Sequence, residues 1–565
     1  MPLPSTAIRR RRALITAGAS GIWYALELAN PLHRSRIAPR TANSMRALRA
    51  TPISEREVLL QAGKRSGLFR WHAGDFSDRL EADPHQGKFV PSALEDRTAG
   101  AWVRAGQLIT PEMFGAHMGQ IDHTSYVQAA IDAIVEGTTV LLAGRYTLTS
   151  ELAVNYKTGF VIKGPGSIEM KDGTPVGSGY GMLYFSHCRD FRIENILADG
   201  NRSRRSSAEV PAHSYIFQSC RNFSCRKVTA VNAVCDGFFL FSAAPHDFST
   251  HCADFKLLDC VASNSFRQGC SIIEGHRGLI RGGTYANSAG TAPMAGIDLE
   301  SDISAPDGAI SDIEIDDVLF DSNEGFGLLI STVGKPTRIK VTNCSFHENV
   351  KGAISWGAVS GEIFRPVISG FDERAFRGAI DIPAGSAPLD GALTAIVAPR
   401  FEAISASDLK HPLVYVHGFA YGQVWVDGMS CDRCGAIASF ARDGCRFVGA
   451  SITSGLGTAN HAISVAGDEC RLEANNIDMG VRTAILTVGR DTVIRNNKLT
   501  NLRYTDTEGA IRVLGRGAVI EGNILEGNSG VGIRMDVPPK LLRGNVLNGF
   551  DDLTVLQNQS DHAPR

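Results

Sequence analysis

The chain has 565 residues, of which 43 % are hydrophobic and 21 % charged, and its net charge is −2. That length suits several ordinary domains or one long repeat domain, and the near-neutral balance excludes the basic footprint of a nucleic-acid binder. No apolar run reaches the ~18 residues of a membrane-spanning helix, and Gly (59) far exceeds Pro (23), which points to many tight turns rather than a disordered chain.

In chain order, residues 1–30 place the basic run "RRRR" before a small-and-apolar stretch. A twin-arginine or general secretion signal would look like this. Glu27 interrupts the apolar stretch and no clean small-x-small cleavage site follows, so a disordered basic arm is the alternative. Residues 31–107 read as a small N-terminal module, whose aromatics lie between 56 and 107.

In residues 108–150, Tyr126, Val127, Ala130, Ile131, Ile134 and Val135 recur at helical spacing, and "GTTVLLAGRYTLTS" reads as strand–turn–strand. A helix near 122–136 would close the open end of a repeat stack.

Residues 151–550 carry the repeats. "RLEANNIDM", "VIRNNKLTN", "VIEGNILEG" and "LLRGNVLNG" set Asn475, Asn497, Asn523 and Asn545 at spacings of 22, 26 and 22. "FKLLDCVASNS", "GLIRGGTYANS", "IEIDDVLFDSN" and "RIKVTNCSFHEN" follow a looser version. Periods of this size with short alternating strands predict a solenoid of β-coils, with the asparagine amides stacked from coil to coil. Between them lies a second series, "GFFLFSA", "GCSIIEG", "GIDLESD", "GLLISTV" and "GAISWGA", which reads as one parallel sheet running along the solenoid. Residues 551–565 read as a C-terminal tail.

The stretch from "FGA" through "QAAIDA" to "GTTVLLAGRYTL" resembles the start of the pectate-lyase superfamily, whose pattern runs roughly FGAxGDGxxDDTxAIQAAIDAA then GGTVxLPxGxYxL. Here "HMG" replaces the GDG, and the paired aspartates are reduced to Asp122. The resemblance implies an all-β fold, a right-handed single-stranded parallel β-helix like that of polygalacturonases and phage tailspike depolymerases. Residues 31–107 also resemble the small module that often precedes the β-helix in phage and prophage tail proteins, with a simple N-terminal cap as the alternative. The fold hosts lyases, hydrolases, epimerases and binders, so activity must be argued from a site.

The strand "GIDLESD" supplies that argument. Aligned on Gly237, Gly269, Gly296, Gly327 and Gly352, the first and third following residues are nearly all apolar and would face the core. The second-position column then reads Phe239, Ser271, Asp298, Leu329, Ile354, and the fourth reads Phe241, Ile273, Glu300, Ser331, Trp356. Asp298, Glu300 and Asp302 would share one outward face. Aromatics about two coils away, ~9.6 Å, could bracket a disaccharide. Carboxyls at i and i+2 have Cα atoms ~6.6 Å apart, compatible with inverting hydrolysis without excluding a retaining pair. Expected substrate-binding residues are Trp356, Phe239, Phe241, Arg267, Glu274 and His276. A solvated acidic face and a structural Ca²⁺ are the alternative uses of the three acids.

The polygalacturonase set NTD, DD, GHG, RIK is absent as a set, with "RIK" alone at 338–340. The reading is therefore a glycoside hydrolase acting on an extracellular or capsular polysaccharide, with no cofactor. A polysaccharide lyase and a non-enzymatic glycan-binding or adhesion β-helix are the rivals. The expected setting is secreted or a phage tail, with no nucleic-acid partner and no membrane span. A homotrimer would hide Leu329 and Ile354 between subunits. The 12 cysteines read as buried small hydrophobes rather than disulfides, and Cys431–Cys434 has a CxxC spacing without a second pair.

Overall fold

The computed structural model describes residues 39–556, apart from 176–180, 206–211, 371–377, 403–411, 456–460, 482 and 503–507. The signal-like arm of residues 1–30 and most of the C-terminal tail lie outside the described residues.

Residues 108–556 form a right-handed parallel β-helix. Each coil contributes one short strand to each of three parallel sheets, which hold 17, 16 and 16 strands among the described residues. One coil illustrates the plan: Gly275–Arg281 lies in the first sheet, Thr284–Ala286 in the second and Ile297–Leu299 in the third. The first sheet runs from Leu108–Ile109 to Leu541–Arg543.

Alternation along every strand sends one set of side chains inward. They stack on their counterparts in the next coil, as in Phe160–Phe191 at 5.0 Å and Phe191–Phe223 at 5.1 Å between ring centroids. The asparagines stack as the repeat predicts: Asn475 Nδ2 donates to Asn497 Oδ1 (2.8 Å), Asn497 to Asn523 (2.9 Å) and Asn523 to Asn545 (2.9 Å). Each amide also satisfies backbone groups at the turn, so the ladder closes the hydrogen-bond accounts of a buried corner.

The cysteines are all free, and all but Cys235 are buried. Cys188, Cys220 and Cys252 each donate to a carbonyl of the preceding coil. Cys431 and Cys434 are buried and belong to no metal-ligand cluster among the described residues.

The helix Thr124–Asp132 caps the first coil with Val127, Ala130 and Ile131. Asp122 anchors its start by accepting from the Thr124 amide and hydroxyl and from the Thr149 hydroxyl. Val135 departs from the predicted apolar face and is exposed, because the helix ends before it. Residues 40–104 contain a five-stranded sheet with its own core of Leu48, Val58, Leu60, Phe69, Val90 and Trp102.

Candidate functional site

The leading glycines have a steric cause. A Cβ on Gly237 would stand 2.6 Å from the Gly269 carbonyl oxygen, on Gly269 2.5 Å from that of Gly296, and on Gly296 2.7 Å from that of Gly327. Coils can enter the third sheet this closely only without a side chain. Register follows: Phe239 pairs with Ser271, Ser271 with Asp298, and Asp298 with Leu329.

One coil further the glycine alignment fails. Gly352 pairs with Phe326, so Ile354 pairs with Leu328 and Trp356 with Ile330. A slip of one residue exchanges the two faces of a strand. Ile354 and Trp356 therefore lie in the core, and Trp356 Nε1 donates to Thr394 Oγ1 at 2.9 Å. Trp356 is no stacking platform, and Ile354 offers nothing to a subunit contact.

The acidic strand is shorter than its sequence suggests. It ends at Leu299, and Asp302 falls in the turn beyond it, where its Oδ1 accepts from the Ser304 amide and hydroxyl. Asp302 thus shapes a turn instead of sharing a face with Asp298 and Glu300. Glu274 is buried at the same corner, accepting from the amides of Ser242 and Asp302. Burial pushes its carboxyl up to about 7. His276 belongs to the first sheet, where it contacts the His251 ring and the Ser311 hydroxyl, away from the acids. Glu274 thus holds the turn beyond the acidic strand, and His276 stands in a different sheet from Asp298.

Asp298 and Glu300 have contrasting surroundings. Asp298 is 1 % exposed, whereas the Glu300 side chain is 41 % exposed. Gln268 Nε2 donates to Asp298 Oδ2 at 2.6 Å. Burial, and secondarily the Glu300 charge, push the Asp298 carboxyl up to about 8. Among the described residues, Asp298 Oδ1 and Gln268 Oε1 are buried acceptors without a donor. A proton held by Asp298 relieves part of that deficit.

Sequence reading missed the residues around these two. Asp236, fully buried, accepts from Ser271 Oγ (3.0 Å) and the Gln268 amide (3.1 Å), and lies 3.2 Å from His213 Nδ1. Burial opposes its charge, but His213, Arg267 and Ser271 prevail and hold its carboxyl below the usual range. Arg267 stands between the acids, 3.9 Å from Asp236 and 4.0 Å from Glu300. Asp236 and Gln268 immediately precede Gly237 and Gly269, so the column before the leading glycines was the available signal.

Beside the acids opens a cleft of about 380 Å³, walled by Tyr184, His213, Ile216, Phe239, Phe241 and Arg267. The His213 ring lies flat on Phe239 at 4.1 Å, and Phe241 follows at 5.1 Å. Phe239, Phe241 and Arg267 therefore sit together in the cleft wall, and Arg267 carries the wall to Glu300.

No family model and no curated protein matches the sequence. Solved structures similar to it include the pre-mature gene product 12 of bacteriophage phi29, 12 % identical with a TM-score of 0.47, covering 79 % of this chain and 57 % of that one. The tailspike gp49 of Acinetobacter baumannii bacteriophage Fri1, a capsular polysaccharide depolymerase, is 11 % identical with a TM-score of 0.38, covering 93 % and 77 %. The Azotobacter vinelandii mannuronan C-5 epimerase AlgE6 A-module is 14 % identical with a TM-score of 0.37, covering 79 % and 99 %. At these scores the likeness carries nothing about individual residues.

Proposed function

We propose that the protein cleaves an extracellular polysaccharide by hydrolysis at the Asp298–Glu300 site, with sugar rings lying on Phe239 and Phe241. The observation that carries the reading is the contrast between two carboxyls two residues apart at the end of one strand: Asp298 is buried, which pushes its carboxyl up to about 8, while Glu300 meets solvent. Glycoside hydrolysis needs one carboxyl to protonate the leaving oxygen and another to activate water or attack carbon. In these roles Asp298 is the acid and Glu300 the base or nucleophile. Because Asp298 is covered, delivery of its proton requires the Arg267–Gln268 turn to give way as substrate settles. Aromatic faces suit the apolar faces of sugar rings, and Arg267 supplies hydrogen-bond donors beside the scissile position.

A screen of bacterial capsular, exopolysaccharide and plant polysaccharides with product masses tests this directly. New reducing ends without an ultraviolet-absorbing double bond are expected. Asp298→Asn and Glu300→Gln should each lower turnover at least ~10²-fold. Products carrying the double bond would make the protein a lyase, and retention of a glycan without products would make it a binder. Wild-type turnover by both variants would end the assignment of these two carboxyls.

The proposed working form is a homotrimer. Half-buried Leu329 and the exposed Ile303 and Val333 lie on neighbouring coils and would be covered by a second copy. Light scattering that returns the single-chain mass of 60.6 kDa would refute it.

A further inference from the structure

We propose that His213, Cys235 and Asp236 form a binding site for a divalent transition-metal cation of the zinc type, with its open side toward the cleft. Among the described residues, theirs is the one cluster of three ligand-type side chains whose donor atoms all lie within 4.8 Å of one another.

The spacing matches a tetrahedral centre. With N and O ligands at ~2.0–2.1 Å and S at ~2.3 Å, tetrahedral edges are about 3.3 Å for N–O and about 3.6 Å for S–O. Here His213 Nδ1 is 3.2 Å from Asp236 Oδ2, and Cys235 Sγ is 3.7 Å from Asp236 Oδ1. His213 Nδ1 also accepts from the Asp236 backbone amide at 3.3 Å, a bond the cation would replace. The two edges use different oxygens, so a small rotation of the carboxylate, or bidentate ligation, brings them onto one ion.

The surroundings fix the ligands. Ser271 Oγ and the Gln268 amide hold Asp236, and the Phe239 ring holds His213 by stacking. Such outer contacts orient metal ligands and raise their affinity. One imidazole, one thiol and one carboxyl select zinc or cobalt over calcium, which takes oxygen ligands. Binding displaces the Cys235 thiol proton to solvent, and the resulting thiolate and carboxylate balance the dication. Arg267, 3.9 Å from Asp236, is the competing cation; its other amine already faces Glu300 at 4.0 Å. Three protein ligands leave a fourth position on the cleft side for water or a sugar hydroxyl.

The inference goes beyond the hydrolytic reading, and its test needs no polysaccharide. One portion of the chelator-stripped full chain is dialysed against Zn²⁺, and a separate metal-free portion is titrated with Co²⁺. One equivalent per chain is expected, with a thiolate-to-cobalt charge-transfer band and the intense visible bands of tetrahedral cobalt. Cys235→Ser should abolish the charge-transfer band, and His213→Gln should weaken binding at least ~10-fold; Asp302→Asn should behave as wild type. A second measurement stands if these variants fail to fold. Cys235 is the one cysteine that is not buried, so Zn²⁺ should slow its alkylation in the wild type. Absence of the sulfur band, equal binding by folded Cys235→Ser and His213→Gln, or alkylation indifferent to Zn²⁺ would each overturn the site and leave an ordinary His213–Asp236 hydrogen bond.

Discussion

Residue type alone says little about Asp298; its burial decides its chemistry. Its carboxyl rises from 3.8 to about 8 in the folded chain, chiefly through burial. A raised folded value means that the native state binds the proton more tightly than the unfolded state. That stabilisation is complete below ~3.8 and is lost as pH climbs through about 8. Glu274, raised from 4.5 to about 7, acts in the same direction over a lower window. These two contributions shrink between about pH 4 and about pH 9. His276, lowered by burial to about 4, acts in the opposite sense below about 6.5. A fall in melting temperature is therefore expected between about pH 6.5 and about pH 9. Asp298→Asn, with no proton to lose, should flatten the upper part of that fall and leave the Glu274 part. Parallel melting curves for the two proteins would show that Asp298 is charged when folded. Trp356 carries the opposite lesson, since a tryptophan read as an outward platform is buried against the first sheet. Trp356→Ala should cost about 3–5 kcal/mol through the cavity and the orphaned Thr394 hydroxyl. Its KM on an identified substrate should stay at the wild-type value. Unchanged denaturant stability with a raised KM would return Trp356 to the cleft.

Elements were legible where a single repeat governed both spacing and face. Asparagines 475, 497, 523 and 545 show this best, because one side chain per coil does one job at one corner. Asn497→Ala should leave the Asn475 backbone amide and one N–H of its Nδ2 unpaired inside the turn, while the other keeps the Phe447 carbonyl. Two such buried donors should cost about 2–4 kcal/mol, read as a shift of the urea midpoint. A change within error would mean that water replaces the ladder. The strand columns were legible only while Gly237, Gly269 and Gly296 each met the carbonyl of the next leading glycine. At Gly352 the glycine takes the position of Phe326, and Ala353 that of Gly327. Spacing in the sequence cannot show that shift, since both registers place apolar residues inward at Ala353 or Ile354. Asp302 was misplaced for a related reason. Alternation continues on paper past Leu299, but the Asp302–Ser304 turn ends the strand. His213 and Asp236 come from neighbouring coils, and only the fold brings them together.

At the scale of the whole molecule, two hydrophobic cores meet at the solenoid's N-terminal end. The core of residues 42–102 is closed within its own five-stranded sheet. The solenoid core begins at Ile109 and is covered by the capping helix. Contact between them is local: His85 lies 4.6 Å from the Tyr126 ring, and the Phe114 ring packs where Gly87 lacks a side chain. Neither contact completes a strand ladder. The first solenoid strand, Leu108–Ile109, pairs with Thr139–Val140, and the Gln107 carbonyl accepts from the Thr139 amide. A chain shortened to begin at Gln107 keeps all of these bonds and loses only the cover over Phe114 and Tyr126. It should stay soluble and β-rich, melt a few degrees lower, and bind Co²⁺ at the His213 cluster as the full chain does. Circular dichroism, thermal melting and the cobalt spectrum check the three parts separately. Misfolding of the shortened chain would mean that the solenoid nucleates on the N-terminal sheet, because the cap alone would then be too small to shield the first coil.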